Sequence, residues 1–278
     1  MRVLSVGYAD TPLRLHSHYH EGHQLLFVVG GETDVTVGTQ HYHMEPGSLL
    51  LLSRLEEHSI HGATPEYRRY TLRVAPEAST PSNQENALLF SVLVNRGAGF
   101  RHVIALGDRA PIFEDLFAEM AREYASEAPM REEMLALLFR RFLILLLRHA
   151  PHLFLTEANR STRLIQAIQQ RIEQDCRENT PLTKLAEEYH VSTSHLAHLF
   201  KRITGYALME YRQACRLTTA KGLLSSTQKS IKEIVEICGF GDESNFSRKF
   251  REKTGMTPSE FRRQNRSHTE NVKKQSKN

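Results

Sequence analysis

Two segments in the second half of the chain repeat one helix-turn-helix pattern, and this repetition constrains the fold more than any other feature. Residues 182–203 read LTKLAEEYHVSTSHLAHLFKRI, in which two short runs with apolar residues at helical spacing flank the turn HVS. Residues 231–253 read IKEIVEICGFGDESNFSRKFREK, in which Gly239-Phe240-Gly241 forms the turn because glycine accepts positive φ. Two short helices joined by a turn of three or four residues form a helix-turn-helix.

The segment between these two units predicts a connecting helix. Residues 207–226 read ALMEYRQACRLTTAKGLLSS. The side chains expected to face inward are Leu208, Tyr211, Leu217, Ala220 and Leu224. A rigid helix of about 18 residues rises roughly 27 Å, which approaches the ~34 Å of one DNA turn once the offsets of the two outer helices are added. One chain is therefore expected to place two recognition helices in successive major grooves.

Charge is distributed unevenly along the sequence. Residues 162–278 carry 21 lysines and arginines against 13 aspartates and glutamates, whereas residues 1–161 carry 15 against 19. A basic half of this kind favours a polyanionic partner such as nucleic acid, although a solvated basic surface explains charge alone equally well.

The C-terminal segment resembles the AraC/XylS family of bacterial transcription regulators over residues 165–264. The matching stretches are SHLAHLFKRITGYALMEYRQACRLTTAKGLL and IKEIVEICGFGDESNFSRKFREKTGMTPSEFR. The resemblance implies a regulator that binds double-stranded promoter DNA and mostly activates by contacting RNA polymerase. It also implies a small-molecule effector, with sugars a common class.

By the same resemblance, the outer faces of the two recognition helices are expected to contact DNA. Base contacts are expected from Ser194, Ala197, His198, Glu243, Ser244, Ser247 and Arg248. Phosphate contacts are expected from Lys201, Arg202, Lys249 and Arg251. Arg248 is favoured for a bidentate contact with guanine, and Ala197 can touch only a thymine methyl group. The sequence does not decide whether His198 contacts a base or a phosphate. For each of these residues, a solvated surface position without DNA contact is the alternative.

The first part of the chain predicts a β domain followed by helices. Residues 13–74 alternate and break at glycines and prolines, as short strands of a sandwich or barrel do, and residues 101–107 add an extended stretch. Pro111–Ser126 and Arg131–His149 then predict amphipathic helices.

The second of these helices is apolar on two faces. One stripe contains Leu135, Leu138, Phe142 and Leu146, and the other contains Phe139, Leu143 and Leu147. We interpret one stripe as packing on the β domain and the other as contacting a second subunit, which predicts a homodimer. A helix buried wholly within one chain is the alternative.

Four histidines fall within residues 16–23, and part of this cluster resembles the first motif of cupin barrels. His18-x-His20-x3-Gln24 matches that motif except that glutamine replaces its glutamate, and His58 matches the histidine of the second motif. Metal-binding cupins use three histidines and a glutamate, so His18, His20 and His58 remain a possible metal set. Because an amide brings no negative charge to a cation, we favour no metal and a polar effector pocket formed by His18, His20, Gln24 and His58. Exposed histidines at a strand start are the third reading.

These observations predict an α+β chain with five segments. An N-terminal cupin-like effector barrel is expected at 1–107, a helical dimerisation segment at 108–155, and a linker at 156–162. An all-α DNA-binding domain with two helix-turn-helix motifs and a linker helix is expected at 163–265, before a disordered basic tail at 266–278. The start of the sequence lacks a signal-peptide pattern and the three cysteines form no CxxC pair, so we expect a cytoplasmic protein with no membrane association.

The function expected is therefore a ligand-responsive, sequence-specific regulator of transcription, not an enzyme, that needs no cofactor. A cupin-type metal-dependent enzyme with a helical appendage is the alternative. A ligand-independent architectural DNA binder is a third possibility, which the predicted sensor barrel disfavours.

Overall fold

The computed structural model describes residues 3–10, 15–18, 22–53, 55–75, 88–94, 96, 100–154, 160–174, 176–178 and 180–263. The described chain forms an N-terminal domain of two β-sheets covered on one side by helices, followed by a C-terminal helical domain. None of the helices within these ranges has the length and apolarity to cross a bilayer.

The β domain has two antiparallel sheets that share one core. Its strands are β1 (Val3–Ala9), β2 (Leu15–His18), β3 (His23–Gly30), β4 (Thr33–Val37), β5 (Gln40–Met44), β6 (Ser48–Leu52), β7 (His58–His61), β8 (Arg68–Val74) and β9 (Val103–Ala105). One sheet has the order β1-β8-β3-β6-β9 and the other β2-β7-β4-β5. Over the described residues the two sheets are not joined into a closed barrel, so the domain is cupin-like rather than a complete barrel.

The position of each strand follows from its pattern of apolar residues. On β4, Val35 and Val37 are buried between the sheets while Asp34 and Thr36 alternate with them, as the sequence predicted. β3 is buried on both faces because it lies in the middle of a covered sheet. Its Leu26 and Val28 face the other sheet, and its neighbouring apolar side chains face the helices.

Two helices cover the five-stranded sheet. They are α1 (Ala110–Ala125) and α2 (Arg131–His149), close to the predicted bounds. Phe117 on α1 stacks on Phe27 of β3 and on Tyr70 of β8, with ring centroids 5.6 and 5.8 Å apart. These aromatic contacts fix α1 against the sheet.

The two apolar stripes of α2 are both occupied within the chain, contrary to the expectation that one would face a second subunit. Leu135, Leu138, Phe142 and Leu146 are buried, and so are Phe139 and Leu143 of the other stripe, while Leu147 is half-buried against the same core. The intervening segment 88–94 and α1 supply the contacts, because both contribute to the same core cluster. The exposed apolar residues of α2 are instead Met134 and Leu137, which are 45% and 62% exposed.

The C-terminal domain is helical throughout its described length. Its helices are α3 (Arg160–Gln174), α4 (Leu182–Glu188), α5 (Thr193–Thr204), α6 (Leu208–Ser226), α7 (Ile231–Cys238) and α8 (Glu243–Thr254). Helix α3 begins within the predicted linker at 156–162, of which residues 155–159 lie outside the described part. The predicted tail at 266–278 also lies outside it.

Each helix-turn-helix has its own core, and α6 contributes to both. The first core contains Leu185, Ala186, Leu196 and Phe200 together with Leu208 and Tyr211 of α6. The second contains Ile234, Val235, Phe246 and Phe250 together with Leu217, Ala220 and Leu224 of α6. The inward-facing residues predicted for the connecting helix are therefore confirmed, and one continuous helix holds both motifs.

Reciprocal side-chain caps stand at the start of α7 and at the start of the helical residues 258–263, which follow the second motif. Ser230 Oγ accepts from the Glu233 backbone N–H at 3.2 Å while Glu233 accepts from the Ser230 N–H at 2.6 Å. Thr257 and Glu260 form the same reciprocal pair. At the first motif, Pro181 occupies the N-cap position and α4 begins at Leu182.

Gly239 provides a test of the second turn. Its φ is +70°, and an added Cβ would lie 2.6 Å from the carbonyl oxygen of Arg177. Gly255 has a φ of +71° with nothing within 4 Å of the same position, so it serves as a matched control. We expect Gly255→Ala to lower the free energy of unfolding by about 1–2 kcal/mol through backbone strain. Gly239→Ala should cost about 1–3 kcal/mol more through the clash.

Urea denaturation followed by circular dichroism measures both variants. Equal losses of stability for the two substitutions would contradict the close approach of Gly239 to Arg177.

Candidate functional site

The first recognition helix, α5, presents a polar face to solvent. Ser192 caps it by accepting from the His195 backbone N–H at 3.2 Å. Of the residues predicted to contact DNA, Ser194, His198, Lys201 and Arg202 are exposed and Ala197 is half-buried. This face is available to a partner because the opposite face of α5 fills the first core.

The second recognition helix, α8, presents a similar face. Asp242 caps it by accepting from the Asn245 backbone N–H at 2.7 Å. Among the residues predicted to contact DNA from this helix, Glu243, Ser244, Arg248 and Arg251 are exposed, and Ser247 and Lys249 are half-buried.

Arg248 lies along the surface of α8. Its Nη1 donates to Glu252 Oε1 at 2.7 Å and its Nη2 to Asn245 Oδ1 at 3.2 Å. The side chain remains 62% exposed, so these local contacts orient the guanidinium without burying it.

Lys249 is placed differently from the other predicted phosphate contacts. Its Nζ donates to Gln213 Oε1 of α6 at 2.5 Å. It therefore lies at the junction between the connecting helix and the second motif. Two arginines of α6 also bond inside the domain, Arg212 to the carbonyl of Thr180 and Arg216 to that of Cys176, both at 2.7 Å.

Two residues of the predicted effector pocket are buried inside the β domain. Gln24 and His58 are 4% and 1% exposed, and both lie on strand faces directed between the sheets. The backbone register pairs His18 with His58, and the side chain of His18 lies outside the described part of the structure. His20 lies outside the described residues. The Oε1 atom of Gln24 has no hydrogen-bond partner in the described structure, which leaves an acceptor for a ligand in the interior.

The possible metal set formed by His18, His20 and His58 is only partly described. Nδ1 of His58 lies 3.0 Å from the carbonyl oxygen of Glu56, which holds the ring in one orientation. Among the residues whose side chains are described, no group of three or more histidine, cysteine or acidic side chains is arranged to hold a metal ion.

A buried ionic network at the end of the β domain was not predicted from the sequence. Glu56, Arg96 and His102 meet there with side chains 7%, 7% and 11% exposed. The carboxylate of Glu56 accepts from both Nε and Nη2 of Arg96, the latter at 2.8 Å, and from Nε2 of His102 at 2.8 Å. It also accepts from the Ser53 backbone N–H at 2.6 Å. Arg96 and His102 follow Glu56 by 40 and 46 positions in the sequence, so no local pattern connects them with it.

The electrostatic environment keeps Glu56 ionised. Burial by itself opposes ionisation, but the Arg96 guanidinium and the hydrogen bond from His102 outweigh it and hold the pKa of Glu56 well below its usual 4.5. A buried carboxylate with this many donors is a fixed structural anchor.

This network adjoins the contact between the two domains. The Arg96 backbone N–H donates to the carbonyl of Ile203, at the end of α5, at 3.0 Å. Tyr206 Oη donates to the carbonyl of Leu55 at 3.0 Å. Lys253 of the second motif lies 3.7 Å from Glu57. The segment 53–58 therefore contacts both helix-turn-helix units while its last residue, His58, faces the interior of the β domain.

Replacement of Glu56 by glutamine tests this anchor. Glu56→Gln leaves the Arg96 charge buried without its carboxylate, which should lower the free energy of unfolding by about 3–5 kcal/mol at pH 7. The neighbouring Glu57→Gln is the control, since its ion pair is partly exposed and should contribute at most about 1 kcal/mol.

The stabilisation that Glu56 provides should decrease at acidic pH. Because the pKa of Glu56 is depressed in the folded state, its contribution is fully present above 4.5 and is lost as the pH falls below that value. The difference in melting temperature between the wild type and Glu56→Gln should therefore be constant from pH 7 to about 5 and shrink in more acidic buffer. A difference that stays constant in acid would contradict the assignment.

Comparison with known proteins relates this architecture to a family. Residues 4–142, half of the 278-residue chain, match the model of the AraC-like ligand binding domain, and residues 185–264 match a helix-turn-helix domain model. The HTH-type transcriptional regulator YijO of Escherichia coli (strain K12) is 36% identical over 107 residues, which cover 38% of each protein. The HTH-type transcriptional activator RhaR of the same strain is 29% identical over 150 residues, 54% of this chain and 53% of RhaR. The chain thus matches about half, or less, of the length of these relatives.

Solved structures share the fold of the two described domains. ToxT from Vibrio cholerae O395 superimposes with a TM-score of 0.63 over 94% of this chain and 98% of its own, at 14% sequence identity. A second ToxT crystal form gives a TM-score of 0.62. The family is one of transcription regulators, which decides against the cupin-type enzyme considered as the alternative. Because the ligand-binding model and the helix-turn-helix model follow one another in the order of the two structural domains, the chain belongs to the AraC family of transcription regulators.

Proposed function

We propose that this protein is a ligand-responsive activator that binds promoter DNA through α5 and α8 in successive major grooves. The observation that carries this proposal is the single helix α6, which has 19 residues and belongs to the cores of both motifs. A helix of that length rises about 28 Å and does not bend freely, so it fixes the distance between the two motifs. Contact with RNA polymerase and a location in the cytoplasm belong to the same proposal.

Transmission of the effector signal is proposed to run through the segment 53–58. His58 faces the interior, Glu56 is anchored to Arg96, and Leu55 and Glu57 contact the DNA-binding domain. An effector that moves His58 therefore acts on residues that touch both motifs. Such a signal requires the effector to bind one arrangement of the domains better than another.

The effector is proposed to bind between the two sheets, near Gln24 and His58. A sugar is the class implied by the resemblance to regulators of this type. ToxT has been solved with an unsaturated fatty acid and with (E)-4-(8-methylnaphthalen-1-yl)but-3-enoic acid, which are carboxylic acids. The two ligand classes need different pockets: a sugar needs many polar partners in the wall, whereas these acids need a largely apolar wall.

A direct test of DNA binding is selection of sites by the full-length protein from a random duplex library. We expect a bipartite site whose halves lie about 10–10.5 base pairs apart, the spacing of successive major grooves. The proposal would be overturned if the selected sequences contained only one half-site, or if the protein enriched no sequence from the library.

Arg248→Ala tests base reading by α8. On the selected site, we expect this variant to bind about 5- to 150-fold more weakly and to lose the preference at one base position, because a bidentate contact to guanine contributes about 1–3 kcal/mol. Lys232→Ala removes the same charge from an exposed position on α7 and should change neither quantity. Fluorescence anisotropy with the selected duplex and its single-base variants measures both. An equal loss on every duplex would assign Arg248 to a phosphate.

The homodimer is proposed to form through the exposed apolar face of α2 rather than its buried stripes. Met130, Met134 and Leu137 are 72%, 45% and 62% exposed and recur at helical spacing, and a two-fold interface buries the same patch on each copy.

Leu137→Glu tests this interface. Light scattering should give the mass of a dimer for the wild type and of a monomer for the variant. The substitution should not lower the stability of the monomer itself, because the side chain is exposed. Arg122→Glu, exposed on α1, is the control and should remain dimeric. A dimer in Leu137→Glu would place the interface elsewhere.

A further inference from the structure

Three polar side chains form a stripe along the outer surface of α8. Asn245 precedes Arg248 by three residues and Glu252 follows it by four, so the three lie one above another on the helix. Asn245 is half-buried, and the side chains of Arg248 and Glu252 are 62% and 55% exposed. Phe246 and Phe250 are fully buried in the second core. The stripe therefore faces away from the core of the domain.

Arg248 is bonded to its neighbour on each side within this stripe. Its Nη1 donates to Glu252 Oε1 at 2.7 Å, and its Nη2 donates to Asn245 Oδ1 at 3.2 Å. The bond to Glu252 is the stronger of the two because both of its partners are charged. Since one acceptor lies toward each end of the helix, the two bonds together restrict the rotation of the guanidinium.

The two bonds leave part of the guanidinium available to a base. Nη1 and Nη2 each carry a second hydrogen, and Nε carries one that neither bond uses. A bidentate contact with O6 and N7 of guanine needs two neighbouring N–H groups of the fork. Arg248 can therefore contact a guanine while it keeps both partners on α8.

This restriction lowers the cost of binding a base. A long side chain that moves freely in the unbound protein loses rotamer freedom when it is fixed at an interface, and that loss weakens the complex. Arg248 has already lost part of this freedom in the free protein, because two acceptors hold its guanidinium. The contact with a correctly placed guanine should therefore be tighter than one made by an unrestrained arginine.

A phosphate suits this arrangement less well than a base does. The Glu252 carboxylate lies 2.7 Å from the guanidinium and is itself exposed. A phosphate that approached Arg248 would also approach this carboxylate, and the two negative charges would repel each other. The edge of a guanine presents neutral acceptors, which meet a smaller repulsion. Glu252 should therefore favour contact with a base over contact with the DNA backbone.

We propose that Glu252 and Asn245 are positioning residues for base reading by α8. They hold the guanidinium of Arg248 in an orientation that matches a guanine edge, and Glu252 also disfavours its contact with phosphates. The inference rests on the proposed function in taking α8 as a helix that reads the major groove. It extends that function by naming two residues that set sequence specificity through a third.

Glu252→Gln tests the proposal, because it removes the charge and keeps the size of the side chain. On the duplex selected by the full-length protein and on its single-base variants, the preference for guanine at the position read by Arg248 should fall about 3- to 10-fold. Affinity for an unrelated duplex should rise about 2- to 5-fold, because one negative charge near the backbone is lost. Fluorescence anisotropy at one fixed salt concentration measures both quantities.

Asn245→Ala removes the second acceptor without changing the charge. It should lower the same guanine preference about 2- to 5-fold and leave the affinity for the unrelated duplex unchanged. Glu236→Gln is the matched control for charge, since Glu236 is exposed on α7. This control should keep the guanine preference of the wild type, and any change in its affinity should be equal on all duplexes.

The Arg248→Ala background separates positioning from direct contact with DNA. In that background, neither Glu252→Gln nor Asn245→Ala should change the base preference further, since the residue through which they act is absent. A side chain that contacts a base itself, or that acts by altering the fold of α8, would keep its effect there.

The proposal is overturned if either variant leaves the guanine preference unchanged, or if either keeps its effect in the Arg248→Ala background. It is also overturned if Glu252→Gln binds the unrelated duplex no more tightly than the wild type does, or if Arg248→Ala loses no base preference. In all these cases the bipartite site selected by the wild type still stands, so only this inference is lost. If the library yields no bipartite site, the proposed function fails and this inference fails with it.

Discussion

The buried carboxylate of Glu56 is the interaction on which the relation between the two domains depends. Its bonds to Arg96, His102 and the Ser53 backbone hold three separate pieces of chain at the end of the β domain. Those pieces in turn supply the contacts with Ile203 and Tyr206. Buried ion pairs often contribute little net stability, so the value of this one lies more in fixing a geometry than in strengthening the fold. Because this contact is rigid, we expect a displacement of residues 55–58 to be transmitted to the helical domain.

The C-terminal domain was largely predictable because its determinants are local. The turn glycine at 239 and the inward residues of α6 occur where the sequence predicts them. The β domain was less predictable, since strands can be recognised by alternation but their pairing cannot. The inward position of Gln24 followed from a motif, whereas that of Arg69 follows only from the register with β3.

One expectation that was wrong and one feature that was not predicted share a physical origin. One of the two stripes of α2 is predicted to contact a second subunit because the sequence does not show that residues 88–94 and α1 return to cover it. The network of Glu56, Arg96 and His102 was missed because its members are distant in sequence and no repeat or spacing connects them. In both cases the residues that complete the contact come from a distant part of the chain. The periodicity of one helix or strand cannot reveal them, because it describes only that segment.

The unbroken course of α6 has a further consequence for how such a chain can change over evolution. Each residue of an α-helix turns the chain by about 100° and advances it by about 1.5 Å. An insertion or deletion of a single residue between the two cores would therefore rotate the second motif by about 100° relative to the first. Under the proposed function, this rotation would turn α8 away from the side of the duplex that α5 faces. The helix should therefore tolerate substitutions on its outer surface but not insertions or deletions. The angle between the two motifs, which its length sets, would matter to operator recognition as much as any single side chain.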